Sequence, residues 1–295
     1  MSEAIASSVQ VTSPVGRRAR HVSAYWLIFP ATLFLAVCYY YPLIRVVWIS
    51  FSEPTIGVQN YELLFTSASI HRVAITTLRI CVLCTLACVF LGYIVSYALL
   101  RAGPAKRRVM LLCVLLPLWI SGLVRAFAWV TLLRNEGFVN STLMWVGLIS
   151  RPLELVWNEI GVVIGMTHYM LPFAILPLYA SMLEIDQRIL MAAQSLGASK
   201  IQVFLRVFFP LSIPGVAAAG VLVFVYSIGF FVTPAILGGG KTLMIAEYVR
   251  LQIVELLRWG IGTMLSVTVG VSVLIIWGLA VKIIGTQRMF GRASL

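Results

Sequence analysis

The chain has 295 residues, of which 61% are hydrophobic and only 11% charged, and its mean hydropathy is +0.99. Soluble proteins run near 45–50% apolar and about 25% charged, and a soluble core stops growing near this length, so lipid is the solvent for most of the chain and a soluble enzyme, a disordered chain and a disulfide scaffold are disfavoured. The formal charge of +12, from 22 Lys+Arg and 10 Asp+Glu, reads in a membrane protein as an orientation signal rather than a nucleic-acid footprint.

The first twenty residues are polar and end in Arg17, Arg18 and Arg20. No short apolar core precedes a small-residue cleavage site, so the first apolar run is expected to stay as a membrane anchor. A transmembrane helix needs about 20 mostly apolar residues, and six stretches qualify: Tyr25–Trp48, Ala74–Leu100, Val109–Leu133, Ile160–Met182, Leu211–Leu237 and Thr263–Ile284. Pro30, Pro117, Pro172 and Pro177 fall inside them, where proline kinks a span rather than ending it. The expected fold class is an all-α polytopic membrane protein. One six-helix domain, 25–284, lies between an N-terminal tail (1–24) and a C-terminal tail (285–295).

The distribution of positive charge sets the expected orientation. With the N-terminus cytoplasmic, the inner segments hold Arg17, Arg18, Arg20, Arg101, Lys106, Arg107, Arg108, Arg188, Lys200, Arg206, Lys282, Arg288 and Arg292 against only Glu3, Glu184 and Asp186. The net is then +10 inside and +2 outside, with both termini cytoplasmic. The five cysteines, Cys38, Cys81, Cys84, Cys88 and Cys113, all lie in apolar runs. Cys81, Cys84 and Cys88 share one helical face, which suits a metal or a bridge in principle; close helix packing by a small apolar residue is the simpler reading.

Between the fourth and fifth stretches, residues 183–210 are too long for a tight turn. Asp186 is placed to cap a helix whose Ile189, Leu190, Ala193 and Leu196 share a face. Gly197 tolerates the left-handed conformation that ends a helix, and Ser199 with Gln202 forms a capping box opening a second one. The pattern is a helix–glycine–helix element on the inner membrane surface, either docking into a soluble partner or resting on headgroups.

Met191-Ala192-Ala193-Gln194-Ser195-Leu196-Gly197, then nine residues and Val207-Phe208-Phe209-Pro210, resembles the EAA loop (Glu-Ala-Ala-x-x-x-Gly, nine residues, Ile-x-Leu-Pro) of binding-protein-dependent ABC importer permeases. Met191 stands where the family has Glu. The segment from Leu123 to Trp129, with Arg125, Ala126 and Trp129, resembles the Arg-x-x-Ala-Trp segment of the spermidine/putrescine-type subgroup. Tyr169 to Phe173 with Pro177 to Tyr179, and Gly229 to Pro234 with Leu237 to Gly239, resemble its fourth and fifth spans. The resemblance covers roughly residues 70 to 285. It implies a type I ABC importer permease fold in a bacterial inner membrane, with Met191, Ala192, Ala193, Gln194, Ser195, Gly197 and Ala198 on a coupling helix seated in the ATPase. It further implies a second permease subunit, related or identical, two cytoplasmic ATPase subunits holding ATP and Mg, and an extracytoplasmic solute-binding protein. No cofactor is expected on this chain, which performs no bond chemistry, and nucleic acid is not a partner.

Ala235 to Thr242 almost spells a phosphate-binding loop. It has Ala235 where that motif needs Gly, and it follows a membrane span rather than a strand, so it reads as an extracytoplasmic turn.

Ionisable groups at membrane depth are costly, which singles out Arg45, Arg79 and Arg125. The first two lie near span ends and can snorkel; Arg125 is deeper, on the same face as Trp129, and either lines a pathway or holds helices together. His168 and Tyr169, and Tyr226 and Phe230 at i, i+4, offer aromatic walls to an ammonium cargo, with ordinary helix packing as the plainer role. Gly161 and Gly165 form a GxxxG-type close-packing face. The expected cargo is a small organic solute such as a polyamine, an aminobutyrate or an opine. An ion-coupled secondary transporter is the alternative, though none of the ten acids falls deep in a span. The three histidines, His21, His71 and His168, are far apart in sequence and compose no catalytic set.

Overall fold

The structure, a computed structural model, describes residues 24–284. The two tails, with Arg17, Arg18, Arg20, Arg288 and Arg292, lie outside the described residues except for Ala24. The chain divides into two units, one ending at Val46 and one beginning at Val47. In the first unit the described residues form the greater part of helix α1 (Ala24–Ser52), which carries Pro30 and Pro42 within it. Arg45 lies near the end of that unit.

In the second unit the described residues begin with the end of α1 and continue with helices as their regular elements. They are α2 (Gln59–Thr66), α3 (Ala68–Arg101), α4 (Pro104–Leu115), α5 (Gly122–Leu133), α6 (Phe138–Trp145) and α7 (Glu159–Leu183). Then follow α8 (Gln187–Ser195), α9 (Lys200–Val203), α10 (Phe209–Ile228), α11 (Val232–Leu237), α12 (Ile245–Arg250) and α13 (Trp259–Ile284). The apolar runs of α3, α7 and α10 are too hydrophobic to leave a polar face, and these three helices pack on one another as the centre of the unit. Ile80, Met166, Met170, Leu178 and Val223 are buried there, together with Cys81, Cys84 and Cys88. The cysteines act as small packing residues. Cys84 takes weak hydrogen bonds from the hydroxyls of Thr167 and Ser227, tying α3 to both neighbours.

In lipid, helix association is driven by close packing and by interhelical hydrogen bonds rather than by the hydrophobic effect. Both occur here. The Ser96 hydroxyl donates to the Ile175 carbonyl at 3.1 Å, joining α3 to α7. Tyr93 and Ser212 share a hydrogen bond at 2.9 Å between α3 and α10. A Cβ on Gly165 would lie 2.4 Å from Leu237 Cδ1 and 2.8 Å from Thr233 Cγ2, so the missing side chain is what lets α11 touch α7. Ile245 N–H donates to Thr77 Oγ1 at 2.8 Å, fixing the start of α12 to α3.

Five described helices are long and apolar enough to cross a membrane: Ile28–Ser52, Ala68–Arg101, Glu159–Leu183, Lys200–Ile228 and Trp259–Lys282. The third expected span is different. Pro104–Trp119 and Gly122–Trp145 meet at 102°, so Val109–Leu133 is sharply bent rather than one straight helix. The cause is local. Pro117 has no N–H to continue the ladder, the chain tightens into a 3₁₀ turn at Leu116–Trp119, and Ile120 and Ser121 are extended. The expected fifth span, Leu211–Leu237, is also interrupted. α10 stops at Ile228, and α11 starts three residues after Gly229.

Residues 183–210 hold a further correction. The Ser199–Gln202 capping box is present, with both reciprocal bonds. The helix that it opens does not lie apart from the next span, however. α9 runs through a π turn at Phe204–Phe208 straight into α10, giving one helix from Lys200 to Ile228. Pro210 explains the π turn. Lacking an N–H, it cannot bond the Arg206 carbonyl, and the ladder widens so that Phe209 N–H reaches Phe204 O.

Candidate functional site

Two regions collect the residues singled out in the sequence. The first is α8. The Asp186 carboxylate accepts the Arg188 N–H at 2.8 Å and caps the helix start. At the other end Gly197 sits at φ +88°. Its N–H bonds the Gln194 carbonyl, and Ala198 N–H bonds that of Ala193, which is the paired bonding of a Schellman ending. The helix is therefore defined at both ends by its own residues. Its outward side is bare: Met191, Ala192, Gln194, Ser195 and Gly197 are exposed, Ala193 and Ala198 half-buried, and Leu196 is 89% exposed. Behind it lies a hollow of about 520 Å³, bordered by Leu190, Met191, Phe204, Phe208, Arg101 and Lys200.

The second region forms where the two interrupted stretches meet α7. Arg125 and Trp129 lie one turn apart on α5, and His168 and Tyr169 are adjacent on α7. Trp129 Nε1 donates to His168 Nδ1 at 3.1 Å, which leaves the ring proton of His168 on Nε2. The Arg125 guanidinium carbon stands 4.0 Å from the centre of the Tyr169 ring. Phe230, in the break between α10 and α11, approaches the same ring to 4.5 Å. Phe173, one turn beyond Tyr169, stacks on Tyr226 at 5.1 Å and 21°.

All six residues expected along a pathway, Arg125, Trp129, His168, Tyr169, Tyr226 and Phe230, thus belong to one connected cluster. Phe173 completes it and was not singled out, although its i, i+4 spacing from Tyr169 is the signal that finds it. Both helix breaks are aimed here. A Cβ on Gly122, at the first break, would lie 3.3 Å from Tyr169 Cε2, and Phe230 occupies the second. Irregular backbone at membrane depth is tolerated where it is buried in protein or lines a cavity. Arg79, by contrast, is paired: its guanidinium meets Glu159 at the start of α7 at 2.9 Å, so it serves packing.

At the α5–α6 joint a second hollow, of about 670 Å³, is bordered by Arg134, Glu136, Glu154, Trp157 and Lys241. Gly239 and Gly240 both have positive φ (+55° and +74°), and a Cβ on Gly239 would collide with the Trp157 side chain. The glycine run near Lys241 is thus a turn folded against Trp157.

In the second unit, interrupted helices thus carry an aromatic cluster at their breaks, and a capped helix stands exposed. Residues 74–289 match the family described as "Binding-protein-dependent transport system inner membrane component", and the chain belongs to that family, whose members are multi-pass inner-membrane permeases. The spermidine/putrescine transport system permease protein PotB of Escherichia coli (strain K12) is 32% identical over 232 residues, 77% of this chain and 84% of that protein. PotB of Haemophilus influenzae is 33% identical over 253 residues, covering 84% and 86%. Among solved structures, a bacterial alginate ABC transporter in complex with an alginate pentasaccharide-bound periplasmic protein has a chain that superposes with a TM-score of 0.72. It is 21% identical and covers 92% of this chain and 96% of that one. The fold is that of ABC importer permeases.

Proposed function

We propose that this chain forms half of the pathway of an ATP-driven importer for a small organic ammonium solute, with polyamines the first class and aminobutyrate or opine-like solutes next. A second permease subunit completes the pathway, and an extracytoplasmic binding protein delivers the solute. Two cytoplasmic ATPase subunits, holding ATP and Mg, act through α8. Both termini face the cytoplasm, which puts Arg101, Lys106, Arg107, Arg108, Arg188, Lys200 and Arg206 on the inner side.

The observation that carries this reading is the geometry of α8. Its ends are fixed by Asp186 and Gly197, its small-residue face is exposed, and the chain leads from it directly into α10 and the aromatic cluster. An ATPase docked on Met191, Ala192, Ala193, Gln194, Ser195, Gly197 and Ala198 is therefore linked by one helix to Tyr226 and by the next joint to Phe230. The cluster supports the solute class. A substrate ammonium is attracted to the ring faces of Tyr169, Phe173, Tyr226 and Phe230, while the Arg125 cation on Tyr169 opposes a second positive charge at that ring. The PotB relatives support polyamines within that class.

The test is to co-purify the complete transporter in lipid and measure ATPase stimulation by its binding protein loaded with putrescine, spermidine, 4-aminobutyrate or an opine. Stimulation by one loaded form and not by the empty protein is expected. Uptake that survives ATP depletion and collapses with the ion gradient would replace this reading with the ion-coupled one.

A further inference from the structure

Arg125 lacks the partner that its chemistry demands. The residue is 7% exposed, and its Nε and Nη1 atoms are buried without a hydrogen bond. No described carboxylate lies within ion-pair distance of it; the two ion pairs among the described residues are Arg79–Glu159 and Arg250–Glu255. Other arginines at helix ends are also engaged. Arg107 donates to the carbonyls of Leu99 and Ala102, and Arg101 to the Tyr97 hydroxyl.

The Tyr169 ring does not fill this need. A ring beneath the guanidinium attracts the cation through one face, whereas the five N–H donors radiate in the plane of the group. Nε belongs to the side-on donor pair and Nη1 to the end-on pair, so each approach keeps an open donor. A planar fork of this kind matches a carboxylate two atoms to two. Burial raises the cost of leaving it unmatched.

We infer that Arg125 is a carboxylate-binding site whose anion comes from outside this chain. The source is either the solute or the second permease subunit. The first source rests on the proposed function, and it favours an amino acid over a diamine: the acid would meet Arg125 while the ammonium meets the Tyr169–Phe173–Tyr226 rings. The second source does not depend on solute class. It makes Arg125 the point where the two permease subunits share a buried ion pair.

The experiment uses the assembled transporter with its binding protein, in wild-type, Arg125→Gln and Arg125→Lys forms. It reads uptake of putrescine and of 4-aminobutyrate, and the melting temperature of the permease pair and of this chain expressed alone. A solute carboxylate predicts that Gln lowers 4-aminobutyrate uptake about tenfold, the worth of one charge-assisted pair, and lowers putrescine uptake by clearly less, with melting unchanged. A partner carboxylate predicts that Gln lowers the melting temperature of the pair but not of the lone chain. It also predicts that uptake of both solutes falls alike, with Lys restoring part of each. The inference is overturned if Gln leaves uptake and melting of the pair unchanged, or if it destabilises the lone chain as much as the pair. Absence of ATP-dependent uptake in the wild type would count against the importer reading, and the melting comparison would still decide the role of Arg125.

Discussion

The α8 segment and the aromatic cluster are opposite kinds of surface. In α8 the side chains hold little of this chain together: its outward residues are exposed and its ends are fixed by caps. In the cluster almost every side chain is held by another. Trp129 binds His168, Arg125 lies on Tyr169, and Tyr169 meets Phe230. Substitutions should therefore separate cleanly. Those that remove a ring of the cluster disturb both fold and transport, whereas those on α8 spare the fold and reach transport only through a partner.

The largest effect is expected from Tyr169→Ala. It removes the ring shared by Arg125 and Phe230 and opens a void at both helix breaks. The loss should be about 2–4 kcal/mol of stability, read as a lower melting temperature in lipid, with uptake lost as well. A melting temperature close to wild type would break the contrast from the cluster side.

Ala192→Trp comes next. The residue is exposed, so stability should stay within about 0.5 kcal/mol, while ATP-driven uptake falls by about tenfold or more because the small face no longer fits a groove. Normal uptake would remove α8 from the coupling path. Gly197→Ala sharpens the same point. A left-handed φ costs a residue with a Cβ about 1 kcal/mol, and nothing lies within 4 Å to clash. Chain stability should therefore fall slightly, and any larger loss of uptake belongs to the partner contact. Comparing melting and uptake for the two variants isolates it.

The smallest effect lies outside both regions and calibrates them. Glu247, on α12, is buried with one carboxylate oxygen unpaired. Burial pushes its pKa above the ordinary carboxylate range, Arg250 opposes the shift and Glu255 adds to it. The folded state then holds a proton that the unfolded chain has released. This group's contribution to stability accordingly falls as pH rises from the ordinary carboxylate range through the raised value. Glu247→Gln should increase the melting temperature modestly near neutral pH, and the gain should fade on acidification. A gain that is independent of pH would mean that charge burial is not the cause.

What the sequence made legible was local. Asp186, Gly197 and the Ser199–Gln202 box act on backbone groups within five residues, so their roles follow from residue type and spacing. The six apolar runs were legible from hydropathy, because spanning length is set by the bilayer. The breaks at Ile120–Ser121 and Gly229–Phe231 were not. Apolar residues continue across both, and hydropathy does not register a change of backbone direction. The single continuous helix through Phe204–Phe208 was hidden for the converse reason: a loop helix and the next span read as separate elements, and the π turn joins them. The partner of Arg79 lies 80 positions away at Glu159, beyond any periodicity. The convergence of Arg125, Trp129, His168, Tyr169, Tyr226 and Phe230 likewise depends on α5, α7 and α10 meeting in space.

The π turn at Phe204–Phe208 has a mechanical consequence. Because it joins rather than separates, Lys200 and Ile228 belong to one rod of 29 residues, about 43 Å long at 1.5 Å per residue. A tilt of about 5° around one end displaces the other by roughly 4 Å over that length, which is more than the depth of one aromatic ring. If α8 rocks against its support and the helix turns as one unit, the displacement reaches Ile228, two residues before Phe230.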